Sequence, residues 1–219
     1  MTEWRYQPIA LKLTRRLQCD ELANWQTRLM QLPQQLNVAL KEWASVCSAL
    51  EEGRQLILLR KGGILEAIGG FELEHPQFFL FPTYLHQNAQ MLKEPERKRL
   101  VSLNEEPAQI LLSSAAAVTD VIRLRERGQM DRLDDEHIWT SPLIDMRFNY
   151  RPQNPLYLLL LRVYRLPEPI EIQNTPEYAG CKSWVPLRSQ LPMAGASPVI
   201  ADTSFRLRRT SIKKLLAHP

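Results

Sequence analysis

The run PLYLLLLRVYRL, residues 155–166, narrows the folds open to this chain more than any other segment. From Leu156 to Leu161 it has no polar face. Pro152 and Pro155 precede it and Pro167 and Pro169 follow it, so its ends are punctuated, and the apolar run from Leu156 to Leu161 is strand-sized. The segment is predicted as a strand buried on both faces for most of its length. Such strands occur where both sides of a sheet are covered.

Other segments fill in an α+β pattern. Leu36, Leu40, Trp43, Cys47 and Leu50 recur at helical spacing, which predicts one helix over LNVALKEWASVCSALEEG, with Gly53 as its C-terminal cap. A second amphipathic helix is predicted from Asp20, its N-cap, to Leu32 before Pro33. QLILLR, GFELE and FFLF read as short strands, and Gly62-Gly63 and Gly69-Gly70 supply the backbone freedom of tight reversals. Residues 84–110 are polar and partly helical, with KEPERKRLVSL the best piece. AAAVTDVIRL carries both signals; its β-branched residues decide for a strand. A short helix is expected at Asp131–Glu136, and a last short strand in PEYAGCKSWVPL.

The expected fold is a small curved, mostly antiparallel sheet or barrel with flanking helices. Residues 1–35 form an arm and helix, 36–190 a core domain, 191–204 a linker and 205–219 a basic tail that is helical in part.

Composition bounds the setting. Hydrophobic residues at 44% and charged ones at 24% suit a soluble globular protein. No apolar run approaches the roughly 18 residues of a membrane span, and MTEWRYQP lacks the layout of a secretory signal. Cys19, Cys47 and Cys181 are odd in number and far apart, which predicts reduced thiols and a cytoplasmic location. The net charge of +4 is uneven: residues 205–219 carry five cations and no acid, whereas 36–204 net −3. Basicity is therefore mostly a property of the tail.

Signatures of nucleotide-binding loops, serine-nucleophile elbows and helical zinc sites are absent, and no cofactor is expected. Glu96-Arg97-Lys98 has the acid-x-lysine form of a nuclease site, but its place beside Pro95 fits a helix surface better. Glu66, Glu72, Glu74 and His75 offer ligands for a metal ion, and the same alternation is what a half-buried strand shows. Arg60 and Lys61 close a strand beside Gly62 and Gly63, a setting suited to a phosphate or simply the wet end of a hairpin. Trp139 in HIWT and Trp184 in CKSWVPL, the latter beside Lys182, are rings on which a base stacks unless they are core.

ALKEWASVCSALEEGRQLILLRKGGI, FELEHPQFFLFPTYLHQ, HIWT, PLYLLLLRVYRL and PEYAGCKSWVPL resemble, in order and spacing over residues 36–190, a bacterial family prominent in cyanobacteria and catalogued as a domain of unknown function. Some of its relatives are associated with restriction-endonuclease-like domains, which implies DNA handling. In fold, the chain also resembles the ASCH branch of the PUA-like superfamily, small barrels that bind RNA or modified bases. That signature, Gly-x-Lys-x-x-Glu-x-Arg, falls on Gly53 to Arg60, with Gln55 and Leu58 in place of the lysine and glutamate. The loss of that charged pair implies binding rather than hydrolysis.

The leading expectation is a non-catalytic module for RNA or DNA. Arg60 and Lys61 meet phosphate, Gly62 and Gly63 admit the backbone, Trp139 or Trp184 stacks a base, and Arg206, Arg208 and Arg209 add affinity. One alternative is an assembly factor that docks an acidic protein partner through residues 205–219. Another is a metal-dependent hydrolase or nuclease using Glu66, Glu72, Glu74 and His75.

Overall fold

A computed structural model of the chain describes residues 33–61, 64–67, 70–180 and 182–217, and for 64–67 and 70–72 the backbone alone. The predicted helix from Asp20 to Leu32, and Gly62 and Gly63, lie outside the described residues.

The double-faced run is the spine of the sheet. It forms β7 (Leu156–Gln173), and every residue from Leu156 to Tyr164 is buried. The alanine-rich segment is the strand expected, longer than predicted, as β6 (Gln109–Leu124). In the β6–β7 pairing Ala115 faces Tyr164 and Ala117 faces Arg162, so small side chains sit opposite the largest ones. The remaining strands of the sheet are β1 (Gln35–Trp43), β2 (Ile57–Arg60), β5 (Gln77–Thr83), β8 (Trp184–Pro192) and β9 (Ser197–Pro198). They run in the order β2-β7-β6-β5-β1-β8, with β9 also paired to β7. Only β1 and β5 pair in parallel. β3 (Ile64–Ala67) and β4 (Gly70–Leu73) form a separate two-stranded hairpin. The fold is thus α+β with an open, curved, mostly antiparallel sheet rather than a closed barrel.

The long helix predicted over residues 36–53 is corrected: its first half is β1, and only α1 (Ala44–Glu51) is helical. Val38 and Leu40 join one core while Leu36 and Ala39 join the other, so β1 is covered on both faces. A short apolar run of that kind satisfies a helical stripe and a buried strand equally well. The cap at the end of α1 is as predicted. Gly53 has φ +67°, its N–H donates to the Leu50 carbonyl, and that of Arg54 donates to Ala49. A Cβ there would stand 2.6 Å from Ile200, so close approach also demands glycine.

Among the described residues there are four further α-helices: α2 (Glu94–Arg97), α3 (Gly128–Asp131), α4 (Ser141–Asn149) and α5 (Asp202–Ala217). The stretch 191–204, read from sequence as a linker, contains the end of β8, all of β9 and the first turn of α5. The basic tail is not a free arm: Phe205, Ile212 and Leu216 of α5 are buried in the larger core.

Curvature brings distant strands together. β2 and β1 are separated in the sheet by β7, β6 and β5, about 19 Å on a flat sheet at the usual strand spacing. Yet the Arg60 guanidinium at the end of β2 lies 2.9 Å from the Glu42 carboxylate in β1. No described helix is long and apolar enough to cross a membrane.

Candidate functional site

Arg60 is a structural residue rather than a surface cation. It is 9% exposed, and besides Glu42 it donates to the Lys41 carbonyl at 3.3 Å. Burial lowers its pKa from the ordinary value; the Glu42 carboxylate opposes that shift and the nearby Arg147 guanidinium adds to it. The Glu42 carbonyl accepts from Thr83 Oγ1 at 3.0 Å, and the Cys47 Sγ lies 3.8 Å from the same oxygen. Burial, then the carboxylates of Glu42 and Glu51, push the Cys47 thiol well above its usual pKa. A buried thiol held protonated is no nucleophile. The burial of Arg60 and its pairing with Glu42 correct the expected phosphate contact.

Lys61, the next residue, has a different environment. Its Nζ donates to the Phe148 carbonyl at 2.8 Å and to the Arg151 carbonyl at 3.3 Å. The end of β2 is thereby fixed to the turn that follows α4. Pro142 occupies the first turn of that helix, where no N–H is needed, and Leu143 and Ile144 anchor it in the core. Its other face is open: Met146 is 44% exposed and Tyr150, at the C-cap, 55%. The Tyr150 N–H donates to the Met146 carbonyl at 2.9 Å, which ends the helix. Arg151 follows with φ +45°, and its guanidinium lies 5.3 Å from the centre of the Tyr150 ring. The one acid on α4, Asp145, is taken by Arg127 at 2.8 Å. Among the described residues no carboxylate pairs with Arg147 or Arg151. Tyr150 and Arg151 are exposed and Lys61 and Arg147 half-buried, and the four together form a cationic and aromatic surface around the end of α4.

The other residues singled out in sequence fall elsewhere. Trp139 is 4% exposed, bridges to Leu92 in an antiparallel pair and lies 5.3 Å from the His137 ring; it is core, which corrects its assignment as a stacking ring. Trp184 is half-buried, with His75 and Phe78 each edge-on at 5.1 Å, and Lys182 beside it is exposed. Arg206 is exposed on α5. Arg208 turns inward and donates to Glu136 at 2.5 Å, to the Gly53 carbonyl at 2.5 Å and to the Arg54 carbonyl at 2.6 Å. Arg209 and Lys213 both bind Asp120, the closest contacts at 2.5 and 2.8 Å. Burial alone would raise the Asp120 carboxyl, but the bonds from Arg209 and Lys213 outweigh it and hold the pKa below the usual value. Arg208 and Arg209 therefore stabilise the fold, which corrects their assignment to a ligand and with it the tail as a docking arm for an acidic protein.

Of the alternative metal ligands, Glu74 is exposed, 3.6 Å from His75. Glu66 lies in β3 and Glu72 in β4, with side chains outside the described residues. Among the described residues no three His, Cys, Asp or Glu side chains converge to hold a metal ion. Sequence reasoning found Lys61 and passed over Arg147, Tyr150 and Arg151. The signal was present in MRFNYRPQNP, where arginines interleave with an aromatic before a proline.

The family described as Domain of unknown function (DUF1802) matches residues 39–211, a span running from β1 into α5. No curated protein matches the chain. Among solved structures, the chain is similar to the ASCH protein of Zymomonas mobilis at 12% identity and TM-score 0.41, over 69% of this chain and 87% of that one. A serine-to-alanine mutant of that protein aligns at 12% identity and TM-score 0.42, over 72% and 92% of the two chains. A tyrosine-to-phenylalanine mutant aligns at 12% and 0.41, over 69% and 90%.

Proposed function

We propose, for a chain that belongs to the family described as Domain of unknown function (DUF1802), that it is a non-catalytic nucleic-acid-binding module whose contact face is Lys61, Arg147, Tyr150 and Arg151. One observation carries the reading. Lys61 is bonded to the very turn that presents Tyr150 and Arg151, so charge and ring are held in one frame. Phosphate is recognised by cations without carboxylate partners, and bases by an open aromatic face. Both stand here within a few residues, whereas Arg208, Arg209 and Lys213 of α5 are engaged by the carboxylates of Glu136 and Asp120.

The test is binding of a fluorescent oligonucleotide followed by anisotropy. Three phosphate contacts give a log–log salt slope of about −2.1 to −2.7, or roughly 20- to 40-fold weaker binding between ~50 and ~200 mM salt. Arg147→Glu/Arg151→Glu abolishes binding, while Arg206→Ala/Lys214→Ala on the exposed side of α5 leaves most of it. Equal affinities for wild type and the first variant, with both folded by circular dichroism, remove the assignment.

A further inference from the structure

We infer that the ligand of this patch is single-stranded, and that the Tyr150 ring, backed by Arg151, is a preformed platform for one unpaired base; this rests on the nucleic-acid reading above.

The first ground is the shape of the patch. Tyr150 stands alone at the end of a helix, more than half exposed, with the guanidinium of Arg151 5.3 Å from its centre. Met146 lies four residues earlier, one turn along the same helix, and extends the apolar surface beside the ring. In a duplex the flat faces of the bases are already covered by their neighbours. A projecting ring therefore finds a stacking partner only where bases are unpaired.

The second ground is backbone strain. Arg151 adopts φ +45°, a region that side chains with a Cβ avoid, and the proline at 152 further limits its backbone. Nothing in the packing of an exposed turn requires an arginine in that conformation. Two bonds hold it there: Lys61 Nζ and the Asn154 N–H both donate to the Arg151 carbonyl, at 3.3 and 2.9 Å. Strain retained at an exposed residue and stabilised from two sides marks a functional position. Its effect is to lay the guanidinium over the ring before any ligand arrives. A glycine would adopt the same turn without strain but would leave the ring unsupported.

The cation beside the ring also fixes the chemistry of the ligand. A base stacked on Tyr150 carries its phosphates toward Lys61, Arg147 and Arg151, so charge and stacking act on one nucleotide and its neighbours.

The experiment uses the full chain with labelled 12-nucleotide single-stranded RNA, single-stranded DNA and the matching duplexes at one fixed salt concentration. The expected result is single-strand binding at least tenfold tighter than duplex binding. Tyr150→Ala should weaken single-strand binding about tenfold, the order of one lost stacked base, and weaken duplex binding by clearly less. Tyr150→Phe should retain affinity, because the ring and not its hydroxyl is used. Arg151→Gly should weaken single-strand binding without lowering the melting temperature. The RNA and DNA arms identify the sugar. If wild type binds duplex as tightly as single strand, or Tyr150→Ala matches wild type on single strands, the platform is overturned while the cationic patch stands. If wild type binds no oligonucleotide, the nucleic-acid reading falls and the platform with it.

Discussion

Two basic regions of this molecule use the same chemistry in opposite directions. In α5, Arg208, Arg209 and Lys213 reach Glu136, Asp120 and two backbone carbonyls, and their charge closes the helix onto the sheet. Around the end of α4, Lys61, Arg147 and Arg151 have no acidic partner among the described residues, and an exposed tyrosine stands among them. The difference is one of acceptors rather than of cation density. A run of arginines becomes a binding surface only if the rest of the fold fails to supply carboxylates within reach. The inward set should therefore govern stability and the outward set affinity.

The largest effect expected is at the buried pair. Arg60→Ala leaves the Glu42 carboxylate enclosed without its cation, which should cost about 3–5 kcal/mol in chemical denaturation. Affinity per folded molecule should stay near wild type; a binding loss with unchanged stability would place Arg60 in the outward set after all.

Acidification tests the same interior. Burial, reinforced by Lys93, lowers the His137 pKa to about 4, and its neighbour Glu136 is the acceptor of Arg208. The unfolded chain binds this proton near pH 6.5 and the folded one only near 4. Stability is therefore full above about pH 6.5 and declines as the pH falls toward 4, by up to ~3 kcal/mol. Carboxylates such as Asp120, whose folded pKa is lowered, remain ionised across that window and weaken the fold only at still lower pH. Urea midpoints measured from pH 7 to 4 on wild type and His137→Gln separate the two contributions, since the variant should show a shallower profile above pH 4.5, the remaining slope coming from His75, whose pKa burial also lowers.

Asp120→Ala should cost about 1–3 kcal/mol by leaving Arg209 and Lys213 without their shared acceptor. Limited proteolysis should then cut within α5 first. Smallest is the outward set: Arg147→Ala and Arg151→Ala should each change stability by less than about 0.5 kcal/mol. Each should nonetheless reduce the salt slope of oligonucleotide binding by about 0.7–0.9. Should these variants unfold the protein instead, the contrast between the regions would disappear.

Legibility followed the range of the interactions. β7 and β6 were readable because an apolar run between prolines and a β-branched segment carry their own signal. The Gly53 cap was readable for the same reason. β1 was misread because Leu36, Leu40 and Trp43 fit a helical stripe, and only its pairing with β5 and β8 decides otherwise. In the patch, Lys61 was found beside its glycines, but its carbonyl acceptors lie 87 and 90 positions away. The roles of Arg208 and Arg209 were hidden likewise, with acceptors 72, 89 and 155 positions distant. Tyr150 passed for an ordinary turn residue because exposure is not written in sequence.

Arg162, in the middle of β7, is 1% exposed, and its acceptors are the Ile200 carbonyl and the Asp202 carboxylate at the start of α5. A ribosome delivers β7 well before it delivers those groups. Until residue 202 emerges, the strand that organises the sheet holds a guanidinium with nothing to neutralise it. The full burial of Arg162 is therefore completed only when the residues leading into α5 arrive.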